Sequence, residues 1–485
     1  MSDKIHVEKK TYGYAGKTVL KDVDITIEQG EFVLVCGANK SGKTTFLKML
    51  YEMMPDKAGM LVQNPDNQTV HDKVLSELAS VLSAKGLPDS EIWKKIGEVS
   101  GYFGISRWIE RDTASLSGGE KQLLNLAVVM TDNPKVLLLD EPLAMLDPVM
   151  ADRILNIVKD LNLRLGITVI MASHIMDELF ATADRVCFIE NGNIISDTAR
   201  KTAQSLVSDN KYRYFLPEPA RVFYKENELP FTVSEGRKML AKYEGTLNAG
   251  KSGDTGKETS CTALEFSNVS FGYDKFSGLI LSSLNLQIMK GEIFALAGEN
   301  GSGKTTAALL AAGYYRPYSG TIKAFGKRIK SPYENCAILF QDVTCHFTED
   351  SYEKDGEQIH PYDLSGGEKQ KLALDLIMAQ NPSLLILDEP AKYLDGYEKH
   401  NLVARLKELK AEGVTILIIT HDMSFAAETA DRIGLLFGGR ISACGTPGEF
   451  FKGNSFYTTS VARIFSDKDD SVITVQEALE VLGIE

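Results

Sequence analysis

The clearest hydrophobic pattern along the chain comes twice. Alternating apolar and polar positions at Val23–Ile27 and again at Leu284–Ile288 predict strands with one buried face. Each is followed by an unbroken apolar run, Phe32–Cys36 or Ile293–Ala297, that opens into a glycine-rich loop, GANKSGKTT at 37–45 and GENGSGKTT at 298–306. A short all-apolar strand feeding such a loop and then a helix is the beginning of a doubly wound parallel sheet, whose strands are covered on both faces. Further apolar runs supply neighbours for it: Val136–Leu139 and Ile167–Met171 in the first half, Leu384–Leu387 and Val414–Ile419 in the second.

The repetition extends well beyond these runs. The two loops are displaced by 298 − 37 = 261 positions, VLLLDEP at 136–142 recurs as LLILDEP at 384–390, and ASHIMDE at 172–178 recurs as ITHDMSF at 419–425. LSGGEKQ occurs at 116–122 and at 364–370, and FTVSEGRKML at 231–240 is echoed by ITVQEALEVL at 473–482. The chain therefore reads as a tandem duplication. Its expected divisions are a first nucleotide-binding domain at 1–205, an extension with a linker at 206–260, a second nucleotide-binding domain at 261–447 and a C-terminal extension at 448–485. Asn248–Ser260, rich in Gly, Ser, Thr and Lys without apolar periodicity, reads as flexible.

Chemistry concentrates at the ends of the apolar runs. Both loops have the spacing GxxxxGK[ST], in which glycines let backbone N–H groups curl round phosphate oxygens, the lysine adds a point charge and a hydroxyl completes a Mg²⁺ shell. The residues concerned are Gly37, Asn39, Lys40, Ser41, Gly42, Lys43, Thr44 and Thr45, then Gly298, Asn300, Gly301, Ser302, Gly303, Lys304, Thr305 and Thr306. An Asp-Glu pair after a strand reads, alone, as a helix cap. Downstream of a phosphate loop, Asp140 and Asp388 stand at the sheet's carboxyl edge, where they can reach the metal, and Glu141 and Glu389 can polarise a water for attack on the γ phosphate. A lone histidine reads as structural, yet His174 and His421 recur at equivalent strand ends, in position to sense that phosphate.

Phosphate loop, LSGGEKQ, Asp-Glu, a further Asp (Asp147, Asp395) and histidine, in that order and twice, resemble the ATP-binding cassette superfamily over nearly the whole chain. The resemblance implies an α/β fold of two tandem cassettes, each a mostly parallel sheet core with small antiparallel β and helical subdomains. It also implies ATPase activity, with ATP as ligand and Mg²⁺ as cofactor. LSGGEKQ is then a signature loop for ATP held by the opposite domain, so that Ser117, Gly118 and Gly119 serve one ATP and Ser365, Gly366 and Gly367 the other, through intramolecular pairing of the halves. Their place before the apolar stretch Leu123–Met130 suits a helix N-terminus, which favours anions. Tyr14 and Tyr273 would stack on adenine. Gln63 and Gln341 would join Thr44, Asp140, Thr305 and Asp388 at Mg²⁺.

QNPDNQ at 63–68 and the segment at 216–240 are similar to the ATPases of energy-coupling factor transporters, which import vitamins and transition-metal ions. On that resemblance the partners are a transmembrane scaffold subunit and a membrane substrate-binding subunit, and the location is cytoplasmic, peripheral on the inner face of the cell membrane. A soluble tandem cassette protein acting on the ribosome and a low-turnover nucleotide-gated scaffold are the alternatives. The spacings add asymmetry. Lys43 to Gln63 is 20 positions against 37 from Lys304 to Gln341, whereas Gln63 to Ser117 is 54 against 24 from Gln341 to Ser365. The β part is accordingly expected to be trimmed in the first half and the helical part in the second. Lys40, where the second loop has Gly301, predicts a costlier backbone if the position needs positive φ.

Composition limits the setting without changing this reading. No apolar run approaches the roughly 18 residues that span a bilayer, and MSDKIHVEKK lacks the apolar core of a signal segment. Six cysteines without a CxxC pair suit a reducing compartment and argue against structural zinc. A net charge of −13 disfavours nucleic acid as a partner.

Overall fold

The computed structural model describes residues 4–14, 17–144, 146–174, 176–243, 261–274, 278–349, 351–354 and 357–484; the linker expected at Asn248–Ser260 lies outside them. The chain divides into two compact units, residues 1–217 and 218–485. No helix of the described residues is long and apolar enough to cross a membrane.

The first unit is built on a six-stranded sheet in the order Ala58–Leu61, Val136–Asp140, Thr168–Ala172, Phe32–Gly37, Arg185–Glu190, Asn193–Thr198. The first five strands are parallel and the last returns antiparallel from a tight hairpin. Every residue of Phe32–Gly37, Val136–Asp140 and Thr168–Ala172 is buried. Central parallel strands have no wet face, which is why they read as continuous apolar runs. Val33, Val35, Leu138 and Ile170 pack with Phe46, Leu47 and Leu50 of the helix Lys43–Met53. Among the described residues the antiparallel part is reduced to a separate two-stranded ribbon, Ile5–Tyr14 with Lys17–Ile27. The helical part is substantial, with Val74–Ala84, Asp89–Phe103 and Gly118–Thr131.

The second unit repeats the sheet as Cys336–Leu339, Leu384–Asp388, Thr415–Ile419, Ile293–Ala297, Arg432–Phe437, Arg440–Gly445. Its antiparallel part is a full four-stranded sheet, Leu281–Met289, Thr262–Phe271, Ser319–Ala324, Lys327–Arg328. Between Leu339 and Gly366 the described residues form two 3-10 turns, Val343–His346 and Pro361–Asp363, and a short hairpin, Tyr352–Lys354 with Glu357–Ile359, in place of helices. The unequal trimming anticipated from the motif spacings is present in both halves.

The second unit also contains residues 218–243, the extension that follows the first cassette in sequence. Val222, Phe223, Met239 and Leu240 share one apolar core with Val461, Ile464, Phe465, Val475, Val481 and Leu482 of the C-terminal extension. The two extensions use the same local device. Thr232 accepts from the Glu235 N–H and Thr474 from the Glu477 N–H, while each glutamate accepts from the backbone N–H of Phe231 or Ile473. The two approach closely at Gly236, where a Cβ would lie 2.6 Å from Ile464 Cδ1.

Candidate functional site

The registers place the chemistry of each half on one edge. In the first unit Val35 and Asp140 both pair with Ala172 and Leu61 pairs with Leu139, so four strands end together at the carboxyl edge of the sheet. In the second, Leu296 and Asp388 both pair with Ile419 and Leu339 pairs with Leu387. Such an edge is where parallel α/β sheets take ligands.

Each loop turns there through left-handed backbone. Gly37 has φ 142° and Gly298 φ 150°, and a Cβ would come within 2.2 Å of the Ile189 carbonyl oxygen or 2.5 Å of that of Leu436. No side chain fits. Lys40 adopts φ 62° and Gly301 φ 79°, so the first loop does hold a lysine in the left-handed region, at a cost of roughly 1 kcal/mol. Lys43 and Lys304, both nearly buried, fold back over their loops. The Lys43 Nζ donates to the carbonyls of Gly37 (2.9 Å) and Ala38 (3.1 Å), and the Lys304 Nζ to those of Gly298 (2.8 Å) and Glu299 (2.9 Å). Thr44, at the start of its helix, hydrogen-bonds Asp140, and the Thr305 Oγ1 donates to Asp388 Oδ2 at 2.7 Å.

Two adjacent carboxylates in the first half are driven toward different states. Burial pushes Asp140 up to about 6, with Glu141 adding to the rise and Thr44 and Lys43 opposing it. Asp388 is pushed up to about 6 in the same way, beside Glu389 and against Thr305 and Lys304. Burial would also raise Glu141, but His174 and Lys43 outweigh it and hold this carboxyl below its ordinary value. His174 Nε2 stands 3.0 Å from Glu141 Oε1, and its backbone N–H donates to Oε2. In the second half His421 Nδ1 lies 2.8 Å from Glu389 Oε1. Burial lowers His421, yet its bond to Glu389 leaves it raised overall.

Glu141 (φ 48°) and Glu389 (φ 52°) are themselves left-handed, and donate their backbone N–H groups to the carbonyls of Ala172 and Ile419. A non-glycine residue held so, in both halves, carries strain of about 1–3 kcal/mol and aims its carboxylate off the strand end. A buried carboxylate reluctant to ionise next to one that is ionised gives a cation ligand and a base for water.

The donor set fits a nucleotide with Mg²⁺. Ser41 Oγ, Ser302 Oγ and Asp140 Oδ1 are buried and have no hydrogen-bond partner within the protein. Buried polar atoms without partners mark a site shaped for a polar ligand. Thr44, Asp140, Thr305 and Asp388 could hold the metal, with the exposed Gln63 and Gln341 just beyond the ends of adjacent strands.

The remaining expected residues are fixed by local contacts. Ser117 and Ser365 each begin a helix, Gly118–Thr131 or Gly366–Met378, through a reciprocal cap with Glu120 or Glu368. Arg111 braces the first of these loops, donating to Glu120 and to the Ser115 carbonyl. Gly119 lies against Met150 and Leu146, and Gly366 against Tyr393. The Tyr273 hydroxyl is 3.1 Å from Thr306 Oγ1, so its ring is tied to the loop helix. Tyr14 is instead edge-on to Tyr12, whose hydroxyl donates to Glu52.

One residue here was not singled out for chemistry by the sequence. Lys392, three residues beyond Glu389, is largely buried, and burial lowers its ammonium while Glu389 and Asp388 pull it back up. Ala144 holds the corresponding place in the first half. The available signal was a lysine where its counterpart is alanine, three residues beyond the glutamate of Asp-Glu.

The sequence model of the ABC transporter family matches residues 20–144, 281–355 and 347–392. A protein of Bacillus thuringiensis subsp. konkukian (strain 97-27), described as an ABC transporter ATP-binding protein, is 36% identical across 97% of this chain and 96% of its own length. Among solved structures, cbiO1 from Clostridium perfringens, part of the ABC transporter complex cbiONQ, is 27% identical over 41% of this chain and 90% of its own, with a TM-score of 0.38. The archaeal ribosome recycling factor aABCE1, solved with the ribosomal stalk protein aP1, is 18% identical over 92% of each chain with a TM-score of 0.59, a likeness of fold.

Proposed function

We propose, from the premise that this chain belongs to the ABC transporter family of ATP-hydrolysing proteins, that it powers an energy-coupling factor type importer of a vitamin or transition-metal ion. The observation that carries the reading is the pair of extensions. Side chains from 216–240, the segment that resembles the tail of such ATPases, and from its echo at 460–482 share one apolar core, and the two segments have matching helix caps. QNPDNQ at 63–68 supports it from the other side of the sequence. The substrate would be carried by membrane subunits, a scaffold and a substrate-binding protein, with this chain peripheral on the cytoplasmic face.

Within each half the chain's own residues divide the work. The loop amides with Lys43 or Lys304 bind the phosphates and spread their charge. Glu141 and Glu389, each held beside its histidine, orient and polarise the attacking water. His174 and His421 fix the carboxylate rotamer and register the γ phosphate. Mg²⁺, held by Thr44, Gln63 and Asp140 or by Thr305, Gln341 and Asp388, would supply neutralising charge at the β and γ phosphates. Hydrolysis then changes what the protein grips, and the difference in affinity between ATP and ADP states is what can drive a membrane partner.

The test is a tagged purification from detergent-solubilised membranes of the native host, with every co-purifying chain identified by mass spectrometry. Recovery of a small polytopic scaffold with a second hydrophobic subunit is the expected result. Ribosomes, or soluble partners alone with the protein absent from membranes, would overturn the importer reading.

A further inference from the structure

The two glutamines expected at the metal, Gln63 and Gln341, sit in short loops of different sequence, QNPDNQ and QDVTCH. Their folds coincide at three points. The residue after each glutamine caps a 3-10 turn: Asn64 Oδ1 accepts from the Asp66 N–H and Asp342 Oδ1 from the Thr344 N–H, both at 3.0 Å. The turns then occupy the same place, Pro65–Asn67 and Val343–His346. Finally, the residue before each glutamine gives its backbone N–H to a side chain six positions on. The Val62 N–H donates to Gln68 Oε1 at 3.1 Å, and the Phe340 N–H donates to His346 Nε2 at 3.2 Å.

Each acceptor is itself fixed. The Gln68 Nε2 donates to the Met60 carbonyl, so its amide spans the two residues flanking Leu61 at the strand end. The His346 ring stacks on Phe340 with centroids 5.4 Å apart and planes 22° from parallel. An amide and a neutral imidazole differ in shape and acidity, but both present an sp² acceptor at this reach. Their recurrence at the same position shows that an acceptor there is what the loop requires.

We infer that Gln68 and His346 are positioning residues for ATP hydrolysis, clasps that close each loop and set where Gln63 and Gln341 stand. The inference rests on the reading of those two glutamines at the metal. The clasp acts on the peptide just before the glutamine, so losing it frees the glutamine's backbone without removing any group that touches nucleotide. The first loop has further ties, from the Asn125 Nδ2 to the Pro65 carbonyl and from Lys121 to Asp66. The second depends more heavily on its histidine.

The swap of amide for imidazole supplies a readout that plain structural damage would not. Nε2 accepts from a backbone N–H, so the ring is the neutral Nδ1–H tautomer. Burial holds its pKa below the ordinary value, opposed by Asp342 on the same turn. The helix Gly366–Met378 packed against this turn buries Gly367, Gln370, Ala373, Leu374 and Ile377, none of them titratable. Tyr314, against Phe340, and Tyr352, against Phe347, bring only phenols. Acid that protonates Nε2 opens the second clasp and leaves the first closed.

The experiment uses the full chain with His346→Ala, His346→Gln, Gln68→Ala and Gln341→Ala. Amide hydrogen exchange at Phe340 and Val62, without nucleotide, reads the clasp directly. Steady-state ATPase in a Glu141→Gln background reads the half that contains Glu389. His346→Ala is expected to raise Phe340 exchange about tenfold and to lower kcat about fivefold, the factor one neutral hydrogen bond carries, with KM little changed. His346→Gln restores both and loses less activity than the parent once pH falls below the ordinary histidine range. Unchanged Phe340 exchange in His346→Ala, or no rescue by His346→Gln, overturns the clasp. If Gln341→Ala leaves kcat intact while exchange behaves as expected, the role assigned to Gln341 fails instead.

Discussion

Replacing Asp140 by asparagine is expected to stabilise the folded chain at neutral pH while abolishing function in that half. An exposed aspartate titrates near 3.8, whereas burial raises Asp140 to about 6. Between these values the folded chain holds a proton that the unfolded chain has released, so stability falls as pH rises through this window and the deficit is complete above it. Two pKa units correspond to about 3 kcal/mol at pH 8. Asparagine is isosteric, still accepts from Thr44, and carries no charge to desolvate. Chemical denaturation of the wild type and Asp140→Asn in EDTA, from pH 4 to 8, measures the difference. The two curves should meet near pH 4 and separate to about 3 kcal/mol at pH 8, with the variant the more stable. Parallel curves, or a variant less stable at pH 8, would refute the view that the carboxylate is a desolvated ligand awaiting a cation.

Three further outcomes follow from the same geometry. Glu141→Gln together with Glu389→Gln should abolish phosphate release while ATP binding, followed by filter retention or calorimetry, stays within a few-fold of wild type; release by the double variant would remove both glutamates from the chemistry. Lys392→Ala should raise Asp388 further, because it strips a cation from two buried carboxylates, so the Mg²⁺ needed for nucleotide binding in that half rises as pH falls from 8 to 6. An unchanged Mg²⁺ titration would make Lys392 irrelevant there. Phe465→Ala, truncating a fully buried ring in the extension core, should cost about 3–5 kcal/mol in the unfolding of that core, and a change below 1 kcal/mol would mean the core contributes little.

Much of this architecture was legible because its strands are covered on both faces and therefore leave unbroken apolar runs, as Phe32–Cys36 and Val414–Ile419 do. Positional spacing carried the trimmed subdomains equally well, since a helical part cannot fit into the 24 residues from Gln341 to Ser365. The hairpin Tyr352–Lys354 with Glu357–Ile359 left no such mark, being too short for alternation to register. Nor did the acceptors at Gln68 and His346, because one side-chain bond to a peptide six residues back has no periodicity. The loop residues, Asp140, Glu141 and His174 were recognisable as a set, but the strain at Glu141 and the opposite drift of the two carboxyls depend on neighbours distant in sequence. Where residues 218–243 pack is a non-local fact of the same kind. Their echo in 473–482 was visible, and their shared core was not.

That core limits what can be separated. A polypeptide ending at residue 243 would carry Val222, Phe223, Met239 and Leu240 without the side chains that cover them, and one beginning at residue 261 would leave Ile464 and Phe465 equally bare. The two cassettes are thus not interchangeable modules joined by a tether. Produced as two polypeptides, each should aggregate or bind chaperones through its orphaned extension, and only synthesis together would hide both surfaces. Any exchange of one half for a homologue must bring along a compatible extension, so the halves are constrained to diverge as a matched pair.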